Sequence, residues 1–250
     1  MFNYGIDKRV IYIVLIILSA YVLMSMSGSD IIGILLTLLA VIVAITFHEF
    51  AHAYTADKFG DTTPRNQGRL TLNPLSHLEP FGFILLVFAN IGWGKPVQIN
   101  PNNFVNSNKS RSFCEAMVSL AGPLMNFFIA IVACFAHEIL KQINPYFIHT
   151  QMGIRLMSFL FYLIIIDIGL GVFNLIPLPP LDGEKIFKNV LPYRVQEWLT
   201  RNYYTLYWVF MLLWIFGVLG EIISPIITVI ASELTFLVDC IIGFIYKIWH

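Results

Sequence analysis

The sequence predicts an all-α polytopic membrane protein of about six crossing helices, with a re-entrant or short β-strand loop between the second and third. Three observations carry that expectation. Of 250 residues, 58% are hydrophobic and 12% are charged, about half the charged share of a soluble domain. The apolar residues gather in uncharged runs, and a helix needs about 20 such residues to cross a bilayer. The basic residues are distributed unevenly around those runs.

Six runs are long enough to cross: residues 10–26, 32–56, 113–140, 153–176, 202–222 and 225–248. The first follows Lys8 and Arg9 but precedes no small-residue cleavage site, so it reads as a retained helix. The stretch from Phe81 to Trp93 is too short to cross and suits a re-entrant segment. With the N-terminus in the cytoplasm, only Lys141 and Arg155 of the 15 basic residues fall outside. That asymmetry is the positive-inside pattern, and it places both termini in the cytoplasm.

The connection from 57 to 112 alternates around Arg69–Leu72 and Val97–Ile99, which predicts short strands flanking the re-entrant piece. No internal repeat or low-complexity tract is visible. The expectation is one domain over 1–250 with a core over about 32–190. Formal net charge is zero, which leaves no basic footprint for nucleic acid. Cys114, Cys134 and Cys240 are far apart, form no CxxC pair and read as small hydrophobes.

Chemistry concentrates in His48-Glu49-Phe50-Ala51-His52, an H-E-x-x-H pattern inside the second run. Positions i and i+4 share a helix face, so both imidazoles can bind one metal ion, zinc being the usual case. Glu49 lies one residue along, beside the metal rather than on it, where it can accept a proton from an activated water. Three ionisable groups within five residues of an apolar helix are too costly to read as packing. The bland alternative is a hydrogen-bonded polar cluster between helices.

A catalytic zinc takes a third protein ligand and keeps one position open. The best candidate is Asp182, in Asn174-Leu175-Ile176-Pro177-Leu178-Pro179-Pro180-Leu181-Asp182-Gly183. It follows the fourth run at the same predicted cytoplasmic end as the histidines. The prolines prevent a regular helix, and Gly183 permits a sharp turn that aims Asp182 inward. The competing reading is an ordinary Pro-rich turn with a solvated aspartate. Asp167, deep in the fourth run, is a backup ligand. His77 reads as a structural hydrogen-bonder, and Asn126 as contact between helices. Two histidines and a carboxylate also suit iron.

These motifs resemble the site-2 protease family of intramembrane zinc metalloproteases. The resemblance rests on H-E-x-x-H, on N-x-x-P-x-P-x-L-D-G at 174–183, and on Gly68–Pro74, Gly94-Lys95-Pro96 and Ser119-Leu120-Ala121-Gly122-Pro123-x-x-Asn126. It covers about residues 40–190 and points to compact bacterial members without PDZ or CBS domains. It implies one Zn2+ per chain, held by His48, His52 and Asp182, with Glu49 as general base and acid. Asn174 would help stabilise the oxyanion, its plain alternative being a bond between helices. The implied substrates are transmembrane or membrane-adjacent protein segments, as in regulated intramembrane proteolysis or signal-peptide clearance. The implied location is the cell membrane, with the site near the cytoplasmic side. An exposed strand in the 68–100 loop would clamp an unwound substrate by strand addition. A zinc transporter, a non-catalytic binder of membrane segments and a lipid-directed metallohydrolase are the other classes compatible with these residues.

Overall fold

The computed structural model describes residues 28–79, 94–105, 108–188 and 190–249. The expected crossing at 10–26 and the apolar stretch 81–93 lie outside these residues. Every regular element described is helical: α1 (Gly28–Lys58), α2 (Thr63–Asn66), α3 (Arg111–Ile143), α4 (Gln151–Asn174), α5 (Asp182–Lys188), α6 (Tyr193–Arg201), α7 (Tyr203–Ile215) and α8 (Val218–Trp249). Four are long and apolar enough to cross a membrane, over Ile31–Lys58, Arg111–Ile143, Gln151–Asn174 and Val218–Lys247. They coincide with the second, third, fourth and last predicted runs.

Local chemistry sets several ends. Ser110 accepts a hydrogen bond from the Phe113 amide and caps α3, and Thr150 does the same for α4 through Gly153. α1, α3 and α4 pack closely because small residues face one another. Ala40 and Ala44 of α1 and Ala130, Ala133 and Cys134 of α3 are all buried. Leu160, Leu163, Ile164 and Ile168 of α4 fill the spaces between them, and Ala231 and Val238 of α8 close the cluster. Small residues let helix backbones approach where burial against lipid offers no driving force. A second cluster joins Leu181, Phe210, Leu219 and Ile223 at the far end of α4.

Two expectations require correction. The fifth and sixth runs are expected to part between 222 and 225, but the helix break falls at Gly217, which has φ +75°. α8 continues through Pro225, because a long apolar helix can tolerate one lost backbone bond. α7 is left with 13 residues, too few to cross alone. The strands expected at 69–72 and 97–99 are also absent among the described residues. A single antiparallel bridge pairs Leu78 with Gly94 instead. The alternation there marks side chains tied down singly.

Asp61 is the main tie. Its fully buried carboxylate accepts from the Thr63 amide and hydroxyl, from the Asn100 amide at 2.7 Å and from Asn103 Nδ2 at 3.0 Å. This fastens the segment 94–105 to the end of α1. His77, also fully buried, bonds the Thr71 carbonyl through Nε2 at 2.8 Å, as its structural reading expected.

Candidate metal centre

α1 carries His48 and His52 one turn apart, about 15 and about 9 Å of helix before Lys58 at 1.5 Å per residue. Both side chains are buried, with ring centroids 4.6 Å apart and planes nearly perpendicular. The Pro-rich turn after α4 brings Asp182 to them. Gly183 is what makes that possible, although by closeness rather than by turn conformation. A Cβ there would lie 2.6 Å from the backbone carbons of Leu175 and Ile176. Only glycine lets the start of α5 press against the end of α4.

The three donors converge. His48 Nε2 and His52 Nε2 are 3.0 Å apart, and Asp182 Oδ2 lies 3.2 and 3.1 Å from them. Each ring is held from behind. His48 Nδ1 is 2.6 Å from Asn126 Oδ1, and His52 Nδ1 is 2.7 Å from the Val118 carbonyl oxygen. Both partners are acceptors, so both Nδ1 atoms carry the proton and both Nε2 atoms present lone pairs. Two lone pairs and a carboxylate oxygen therefore face one point. A proton can bridge only one of those edges, whereas a divalent cation satisfies all three. Donors around a tetrahedral ion with bonds of about 2.0 Å sit about 3.3 Å apart, close to the spacings found. The residues fit zinc.

α3 forms the back wall. Val118, Gly122 and Asn126 recur every fourth residue, so one face of α3 meets the histidines. An added Cβ at Gly122 would approach His48 Cε1 and His52 Cε1 to 2.6 Å, and His52 Nε2 closer still. Pro123 follows inside the helix and cannot donate to the Ser119 carbonyl.

The remaining predicted residues lie at measured places. Glu49 is half-buried, and its Oε2 accepts from the Val97 amide at 2.8 Å. Asn174 is not joined to the donors by a hydrogen bond, since its Nδ2 donates to the Leu170 carbonyl one turn back in α4. Asp167 is not a ligand, because its Oδ1 accepts from Asn126 Nδ2 at 2.7 Å. Asn126 does link helices, as expected, but it also orients His48, which the sequence reading missed. The fourfold spacing of Gly122 and Asn126 was the available signal.

The sequence model of peptidase family M50 matches residues 36–218. "Putative zinc metalloprotease YwhC" of Bacillus subtilis is 39% identical over 163 residues, covering 65% of this chain and 72% of that protein. "Putative zinc metalloprotease Rip2" of Mycobacterium tuberculosis is 32% identical over 145 residues, 57% of this chain and 52% of that protein. "Zinc metalloprotease MJ0392" of Methanocaldococcus jannaschii is 26% identical over 150 residues, 60% of this chain and 32% of that protein. The matched region thus spans about half of Rip2 and a third of MJ0392. No solved structure matches the chain at a significant level.

Proposed function

This chain belongs to peptidase family M50, and on that premise we propose that it is an endopeptidase that hydrolyses peptide bonds of transmembrane or membrane-adjacent protein segments. It is a zinc metalloprotease of the site-2 protease type. The observation that carries the membrane assignment is a pair of buried histidines, met by Asp182, on a helix apolar enough to cross a bilayer. In this reading the protein is multi-pass. The cluster lies toward the cytoplasmic face, as the excess of Lys and Arg around that end of α1, α3 and α4 supports.

His48 Nε2, His52 Nε2 and Asp182 Oδ2 would hold the zinc. When bound, zinc supplies Lewis acidity and lowers the pKa of a coordinated water to about 7. The chain's own groups do the rest. Asn126 and Val118 keep the lone pairs of the two rings aimed at the ion. Glu49 accepts a proton from the attacking water as the new C–O bond forms, then delivers it to the amide nitrogen as the C–N bond breaks. The Val97 N–H holds one oxygen of Glu49 and stops the carboxylate from turning away. Asn174 has a second amide N–H beyond the one bound to Leu170. That donor serves the oxyanion, where one such contact is worth about 3–4 kcal/mol.

The test is cleavage of a panel of single-span segments in detergent by wild type and Glu49→Gln, with zinc measured on both. The expected result is about one zinc on each protein, with cleavage only by wild type. Equal cleavage by Glu49→Gln would refute the assigned base. Zinc binding without cleavage of any segment, together with zinc flux in vesicles that survives Glu49→Gln, would favour the transporter.

A further inference from the structure

We propose that Asp167 is a positioning residue for the metal centre: acting through Asn126, it keeps the ring proton of His48 on Nδ1, so that Nε2 offers its lone pair to the metal. The inference rests on the zinc reading above. Asn126 is fully buried and has three partners. Its Oδ1 faces His48 Nδ1 at 2.6 Å, and its Nδ2 faces Asp167 Oδ1 at 2.7 Å and the Ala44 carbonyl at 3.2 Å. The two ends of a primary amide have nearly the same shape, so Asn126 could turn over without disturbing the packing. Turned over, its N–H groups would face His48 Nδ1. That nitrogen would then have to accept, and the ring proton would move to Nε2, where it blocks metal binding.

What prevents the reversal is a pair of acceptors on the Nδ2 side. The Ala44 bond is the longer, and Ala44 sits within α1, where its carbonyl also serves the helix. The Asp167 bond is the shorter and involves a carboxyl oxygen, which makes it the stronger of the two. Asp167 has no other described hydrogen bond, because its buried Oδ2 lacks a partner. An ionisable group at 0% exposure inside an apolar helix is costly to keep. Orienting Asn126 is the one task its contacts assign to it. His52 needs no such relay. Its Nδ1 partner is the Val118 backbone oxygen, which cannot exchange a donor for an acceptor.

The experiment measures zinc affinity of the purified full-length chain in detergent by competition with a chromogenic chelator. Asp167→Leu is expected to weaken zinc binding about 10–100-fold, the usual cost of losing a partner behind a metal-binding histidine. Asp167→Asn, which keeps an acceptor oxygen for Asn126, retains most of the affinity. Two isosteric changes guard against simple misfolding. Asn126→Asp removes the donors facing Asp167 and weakens zinc binding, and adding Asp167→Asn restores a donor–acceptor pair and recovers part of the loss. Wild-type affinity in Asp167→Leu, or no recovery in the double variant, overturns the relay. Tight zinc binding by every variant sinks this inference alone, whereas no zinc on wild type sinks the metalloprotease reading with it.

Discussion

Glycine means opposite things in two parts of this molecule. In α3, Gly122 lies against both metal-facing imidazoles, with no room for one more carbon. In α8, Gly220 and Gly243 have nothing within 4 Å of where a Cβ would stand. The contrast extends to the neighbouring residues. The interface of α1, α3 and α4 buries His48, His52, Asn126 and Asp167 among alanines, and each of these four side chains makes at least one hydrogen bond there. α8 presents Phe236, Leu237, Phe244 and Ile245 outward, the surface expected of a helix whose neighbour is lipid. One region is built for exact placement of a few atoms and the other for apolar area.

The sharpest way to break the comparison is Gly122→Ala. The backbone of α3 cannot retreat without moving Val118 and Asn126, which hold the two rings. The histidines must yield, and the three donors no longer converge. Zinc content is expected to fall from about one per chain to near none, and cleavage to fall by at least about 10³-fold with the metal. Metal analysis and a cleavage assay on the same preparation check it. Retention of both would mean that the back wall of the site is softer than its contacts imply.

The difference between the regions also explains what the sequence could disclose. The H-E-x-x-H spacing puts two imidazoles on one helix face by geometry alone, so His48 and His52 were legible as a candidate ligand pair before any fold was known. Asp182 stood out through its Pro-rich turn before Gly183 at the predicted end of the fourth run and through the motif at 174–183. The relay was not legible. Asn126 lies 78 residues from His48 and 41 from Asp167, and its spacing from Gly122 marks a shared helix face without naming the partners that packing brings to it. The C-terminal break was misread for a similar reason. The apolar pattern runs on almost unbroken from 202 to 248 and does not mark the turn, which Gly217 makes through its left-handed backbone. The strands failed because short alternation is weak data. Asp61, not a ladder of backbone bonds, organises 94–105.

Asp61 gives an intermediate effect. Burial raises its carboxyl, but hydrogen bonds from Thr63, Asn100 and Asn103 more than offset this and leave it below its ordinary value. A carboxyl lowered on folding adds stability above its unfolded pKa of about 3.9, and that stability is lost as pH falls through the folded value. Wild type should therefore lose thermal stability below about pH 4, with part of the slope due to this residue. Asp61→Asn sets amide N–H groups against existing donors. It should cost about 1–3 kcal/mol at neutral pH, flatten the acid slope and expose 94–105 to protease. Zinc content should stay near one per chain, because Asp61 does not contact the donors. Melting curves across pH with limited proteolysis measure this, and an unchanged acid slope would remove Asp61 from the account.

Gly243→Ala is the counterpart of Gly122→Ala and should have the smallest effect. It makes the same chemical change, one added methyl group in the middle of a helix. No described atom outside the helix's own backbone lies within 4 Å to resist it, and alanine favours the helical backbone by about 0.5–1 kcal/mol over glycine. The variant should melt slightly higher or unchanged, with wild-type zinc affinity and cleavage. The informative failure would be lost cleavage with zinc binding and melting intact. A methyl group on a surface otherwise facing lipid could then matter only if a substrate segment docked there. In that case α8 would belong to the path by which substrate reaches His48 and Asp182, and the division between a site-building half and a lipid-facing half would have to be withdrawn.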